Sequence, residues 1–162
     1  MAFLGMAECN AKGDVNVSKF KDRIAGCGGF INITQNTHKV VFCGTFTAKG
    51  LREEIRDGKL VITHEGAVQK FIDKVGQITF GAEYAHKHNQ QVMFITERCV
   101  FVLTDKGLVL TEIAPGVDLQ KDILDQMEFV PHIAENLKTM DERLFRDEPM
   151  GLAQDIFEQQ AG

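Results

Sequence analysis

Tryptophan is absent from the 162 residues, and tyrosine and serine occur once each, at Tyr84 and Ser18. Ser18 lies in Val17-Ser18-Lys19, outside any glycine elbow, so the sequence offers no serine-hydrolase nucleophile. A basic surplus is also lacking: 18 Lys and Arg against 23 Asp and Glu give a net charge of −5. That balance argues against a dedicated binder of nucleic acid or of an anionic membrane. No apolar run reaches the ~20 residues that cross a bilayer as a helix. Residues 1–6 show neither the basic lead nor the long apolar stretch of a signal peptide. Cys9, Cys27, Cys43 and Cys99 form no C-x-x-C pair and read as free thiols of a reducing compartment, with a cytoplasmic location expected. No zinc spacing joins His38, His64, His86, His88 and His132, and Lys87 would repel a cation held by its two neighbours. These are read as surface histidines, with no metal site.

What is present is ordinary for a globular domain: 44% apolar and 25% charged residues, at a length that suits one domain with a real core. No repeat or long Pro/Gly/Ser linker divides the chain. Residues 2–7 read as a short buried strand, 10–14 as a turn, and Val15 and Val17 as one face of a half-buried strand. A short helix or turn is expected over 30–36, followed by the apolar run 40–43. Residues 60–64 and 67–72 flank Glu65-Gly66, which reads as a hairpin turn. Further strands are expected at 77–80, 92–95, 99–103 and 108–113, the last two joined by Asp105-Lys106-Gly107. Asp118 can cap a helix with Leu119, Ile123, Leu124 and Met127 on one face, ended by Pro131. Weaker helical stretches follow over 137–145 and 152–157. The fold class is α/β with a mixed sheet flanked by helices, its apolar runs suggesting strands buried on both faces.

The densest glycine cluster, Gly26-Cys27-Gly28-Gly29, is the leading functional candidate. Glycines let backbone N–H groups reach a ligand unobstructed, where an anion or a developing oxyanion could be held. A tight turn between closely packed elements is the alternative reading. The cluster is no dinucleotide fingerprint, since position 31 is Ile31. Residues 44–50 are no phosphate loop either: no glycine directly precedes Lys49 and no Ser/Thr follows it. Lys49 remains either a point-charge contact for a phosphate or carboxylate, or an exposed surface lysine. Glu97, between two apolar strands, reads as a structural carboxylate paired with a nearby arginine. Arg143 and Arg146, with Asp141, Glu142, Asp147 and Glu148, read as a solvated face or a subunit contact.

Several blocks in order resemble the C-terminal half of the family I coenzyme A transferases, of the propionate CoA-transferase and acetoacetyl-CoA transferase type. They are Phe3-Leu4-Gly5-Met6-Ala7, Gly13-Asp14-Val15-Asn16-Val17-Ser18, and residues 24–32, 39–50, 95–101, 111–116 and 145–151. Together they cover nearly the whole chain. The resemblance implies a CoA-transferase-like domain that moves CoA from an acyl-CoA to a free short-chain carboxylate. CoA is then a substrate, and no tightly bound cofactor is expected. In that family a glutamate attacks the thioester, giving an acyl-glutamyl anhydride and CoA thiolate. The thiolate then forms a glutamyl-CoA thioester, and an acceptor acid reverses the sequence. Carried onto these residues, the resemblance makes Gly29, with Gly28 beside it, a backbone oxyanion donor, and Gly29 and Lys49 contacts for CoA.

The family's glutamate lies in a Glu-x-Gly-x-x-Gly-type motif upstream of the first matching block, and no copy of it occurs in residues 1–162. The expectation is therefore a C-terminal CoA-transferase segment, inactive alone, that works with an amino-terminal domain or subunit and forms a homo-oligomer. A non-catalytic scaffold or oligomerisation module of the same fold is the rival reading. A sugar-phosphate isomerase of related fold finds no motif here.

Overall fold

A computed structural model describes residues 1–160. Its centre is a six-stranded sheet built from β1 (Ala2–Gly5), β2 (Lys39–Cys43), β5 (Gln91–Ile95), β6 (Cys99–Thr104), β7 (Gly107–Ile113) and β8 (His132–Thr139), in the order β1-β2-β5-β6-β7-β8. The β1, β2 and β5 strands run parallel, β6 and β7 continue antiparallel, and β8 returns parallel to β7. The sheet is thus mixed, as expected. Val40, Val41 and Phe42 are all buried, so β2 is covered on both faces, the position that β-branched and aromatic runs favour. The edge strand β1 instead alternates half-buried and exposed residues, with Phe3 66% exposed, and is not the wholly buried strand expected.

Phenylalanine builds the core that tryptophan does not. Phe42 stacks on Phe30 at 5.8 Å between centroids and meets Phe80 and Phe94 at 5.1 Å each. A second group runs Phe46–Phe71–Phe101, with centroids 4.7 and 5.1 Å apart. Short helices flank the sheet: α1 (Phe30–Gln35) follows the glycine cluster and α2 (Ala82–Lys87) precedes β5, while α3 (Leu152–Gln160) ends the described chain.

Four local expectations are corrected. The hairpin does not turn at Glu65-Gly66. Residues 60–64 belong to β4 (Lys59–His64), which pairs with β3 (Arg52–Arg56) across Asp57-Gly58. Both turn residues have positive φ, 51° and 72°, the geometry that favours Asp-Gly in two-residue hairpins. Val68–Gln69 pairs with Thr47–Ala48 instead. Residues 77–80 form no strand; Phe80 makes only an isolated bridge to Val15.

The stretch expected to be helical from residue 137 starts inside β8, whose parallel pairing to β7 overrides weak local periodicity, and residues 142–145 form a 3-10 turn. Around Asp118 the cap is real, with the Lys121 N–H donating to its Oδ1 at 2.8 Å. The helix behind it is a π-helical turn over Leu119–Ile123 followed by a 3-10 turn, not a regular α-helix. Its Asp122 carbonyl accepts from Arg98 Nη1 at 2.8 Å, an acceptor a regular helix would spend on its own ladder.

Candidate functional site

The carboxyl ends of parallel strands β1, β2 and β5 lead into segments 6–7, 44–50 and 96–98, which therefore gather at one end of the sheet. Open α/β sheets receive ligands at that end. The glycine cluster joins them, because α1 begins where Phe30 stacks on Phe42, two residues before Gly44. Gly26 and Gly28 take φ of +78° and +53°, which L side chains resist, whereas Gly29 sits at −82° as the helix N-cap. Gly28 and Gly29 are exposed, and among the described residues neither N–H donates to another group. A side chain at Gly28 would meet nothing within 4 Å, and one at Gly29 only Ile33 Cδ1 at 3.6 Å. The cluster is therefore not a turn closed by tight packing.

Lys49 lies at the same end, exposed, with φ of +61°, and its carbonyl accepts from Ala67 N–H at 3.0 Å. No hydrogen bond links its side chain to the glycine turn among the described residues. All five histidines are exposed, no group of carboxylates, thiols and imidazoles that could hold a metal ion occurs among the described residues, and the four cysteines are free. No helix there is long and apolar enough to cross a membrane.

Sequence reasoning missed the charged cluster beneath this end. Arg98 is fully buried, and its guanidinium holds both oxygens of Glu65, from Nη1 and Nη2, at 2.8 Å each. Nε donates to Glu97 at 2.9 Å, and the guanidinium carbon lies 5.1 Å from the centroid of the Phe46 ring. Glu97 is thus arginine-paired, as its setting between apolar strands suggested, and it also accepts from the Phe46 N–H at 2.9 Å. Lys70, also buried, donates to the Thr45 carbonyl at 2.7 Å; burial pulls its pKa down while Glu97 pushes it back up. Desolvation raises the Glu65 carboxyl, but hydrogen bonds from Arg98, Thr47 and the Gly66 N–H outweigh it and hold the group below its ordinary 4.5. Glu53 moves the other way, raised by desolvation and by Glu97.

The depressed Glu65 sets an acid limit. An unfolded Glu65 binds its proton first as pH falls, so the stabilisation is complete above 4.5 and lost as pH drops through the lower folded value. Denaturant midpoints measured at pH 6 and pH 3 should therefore show Glu65→Gln well below the parent at pH 6 and closer to it at pH 3. An equal gap at both pH values refutes the assignment. Asp141, held down to about 2 by hydrogen bonds from Arg143, behaves likewise at the surface. There Arg143 also binds Asp155 of α3 at 2.7 Å, so this charged segment is a local staple between the 3-10 turn and the last helix.

A cleft of about 740 Å³ opens between the 10–14 turn, α2 and the β6–β7 turn, at the opposite end of the sheet. None of the expected site residues lines it, and its buried Asp14 already accepts from Ala82 N–H at 2.9 Å and Asn10 Nδ2 at 3.0 Å.

A mixed sheet with its glycine turn and charged cluster at one end defines an α/β domain that is similar in sequence and fold to part of known CoA-transferases. By sequence and fold the chain is a homologue of CoA-transferases. It is 51% identical over 157 residues to caffeate CoA-transferase of Acetobacterium woodii, and 53% identical over 151 residues to acetate CoA-transferase YdiF of Escherichia coli K12. These alignments take in 94% and 93% of this chain, which spans 30% and 28% of the two relatives' length. The acyl-CoA transferase YdiF of Escherichia coli O157:H7, solved as apoenzyme and as a thioester complex with CoA, matches at 54% identity and a TM-score of 0.90, over 92% of this chain and 29% of that one. Glutaconate CoA-transferase of Acidaminococcus fermentans, 15% identical with a TM-score of 0.61 over 97% of this chain and 56% of that one, shares the fold. No protein-family model matches the chain.

Proposed function

We propose that this chain forms the C-terminal CoA-transferase segment of an acyl-CoA:carboxylate CoA-transferase, supplying oxyanion donors and a CoA contact. The observation that carries this reading is the open glycine turn, with two N–H groups that find no partner among the described residues, at the carboxyl ends of parallel strands. A glutamate outside these residues attacks the acyl-CoA carbonyl carbon. Negative charge grows on the carbonyl oxygen, and the N–H of Gly29, with that of Gly28 beside it, donates to it. Collapse expels CoA thiolate and leaves the acyl-glutamyl anhydride. The thiolate then attacks the glutamyl carbonyl, releasing the acyl group as carboxylate and leaving glutamyl-CoA thioester. The acceptor carboxylate runs both steps in reverse. Lys49 supplies a positive charge to a CoA phosphate.

Since the nucleophile lies outside these residues, the chain alone is not expected to turn over. The exposed apolar side chains Phe3 and Ile24, 66% and 79% accessible, fit a surface that the rest of such an enzyme covers.

Gly29→Val in the full-length enzyme tests the donor assignment. The position has an ordinary φ and open space, so the fold should survive. The γ-carbons would crowd the approach of the carbonyl oxygen and lower kcat about a hundredfold, the scale of a lost oxyanion donor. Near-parent kcat with an unchanged melting temperature overturns the assignment.

A further inference from the structure

The 44–50 loop is held along most of its length. Its Gly44 N–H donates to the Ile95 carbonyl at 3.2 Å, Lys70 holds the Thr45 carbonyl, and Glu97 holds the Phe46 N–H. The Thr47 hydroxyl donates to Glu65, and the Ala67 N–H holds the Lys49 carbonyl at 3.0 Å. Gly66 is pressed against the loop so closely that a side chain there would lie 2.6 Å from the Ala48 carbonyl oxygen. At the tip, Lys49 and Gly50 adopt successive positive φ values of 61° and 93°. A lysine keeps such a conformation only where its surroundings over-determine it.

Two of these grips and one direct contact converge on one side chain. Arg98 binds Glu65, which holds Thr47, and Glu97, which holds Phe46; its Nη2 also lies 3.5 Å from Thr47 Oγ1. Being fully buried, it cannot meet a ligand itself. We infer that Arg98 is a positioning residue that, through Glu65 and Glu97, latches the 44–50 loop into one conformation with Lys49 at its tip. Its consequence for catalysis rests on the proposed CoA contact of Lys49.

Arg98→Lys keeps the charge but cannot form the planar two-point bond to Glu65. Glu65→Gln keeps the size and cuts the charge from the more exposed side of the pair. In the full-length enzyme, amide exchange of Gly66 and Ala67 should rise about tenfold more in both variants than exchange of Val41 and Phe94 in the sheet, whose rise reports the global loss. The KM for acetyl-CoA should rise about tenfold with kcat within about threefold of the parent. Unchanged loop exchange in both variants overturns the latch. Loop and sheet amides rising by the same factor in both also overturn it, since the pair would then act on global stability alone. A loosened loop with an unchanged KM upholds the latch and removes the CoA reading of Lys49 instead.

Discussion

Arg98→Met will destabilise the protein by about 3–5 kcal/mol, read as a drop in denaturant midpoint near neutral pH. Methionine fills most of the vacated volume, so the loss comes from charge and hydrogen bonding rather than from a cavity. Glu97, only 14% exposed, would keep its bond from Phe46 N–H but lose its cation, and the Asp122 carbonyl would lose the donor that its π-helical turn supports. Glu65, 31% exposed, can recruit water, which draws the expectation toward the lower end of that range. The deficit should narrow on acidification. Without the arginine, burial disfavours the charged form of the Glu65 carboxyl, and its protonation removes an unpaired charge. A loss below about 1 kcal/mol at neutral pH would mean that solvent reaches both carboxylates, and that the cluster is no better than a surface ion pair.

What local sequence reveals depends on where each element's partner lies. The β2, β5, β6 and β7 strands were legible as β-branched and aromatic runs, and Asp105-Lys106-Gly107 as their hairpin turn, because these signals sit within a few residues. The parallel strand β8 was not legible. Its sequence, His-Ile-Ala-Glu-Asn-Leu-Lys-Thr, has no clean alternation, and its pairing depends on a free edge of β7 more than 20 residues earlier in the chain. A local sign for the β3–β4 hairpin did exist, since Asp57-Gly58 is a favoured two-residue turn. The charged run Arg52-Glu53-Glu54-Ile55-Arg56 hid its first strand, all of which is exposed.

The site divides along the same line. Gly26 to Gly29 stood out by composition, and the pairing of Glu97 with an arginine could be argued from the neighbouring Arg98. Glu65 lies 33 residues from Arg98, and Thr47 lies 51 away, so only the fold brings the latch together. Motif resemblance drew attention to Lys49, and the backbone explains how a lysine there is held.

The same end of the sheet depends on one aromatic ring. Phe42→Ala should cost about 3–5 kcal/mol, the usual range for truncating a fully buried phenylalanine. The ring touches Phe30, Phe80 and Phe94 from different elements, so no single neighbour can collapse into the space it leaves. Ile55→Ala on the exposed β3–β4 hairpin is the control, expected within about 0.5 kcal/mol of the parent. Losing the stack on Phe30 should also loosen the first turn of α1, whose entry carries Gly28 and Gly29. Amide exchange at Ile33, which donates to the Gly29 carbonyl at 3.0 Å, reports that loosening directly. In Phe42→Ala it should rise by more than at Val102, which sits two strands away across the sheet. Equal rises at both sites would show that the ring stabilises the sheet as a whole and does not specifically brace the glycine turn.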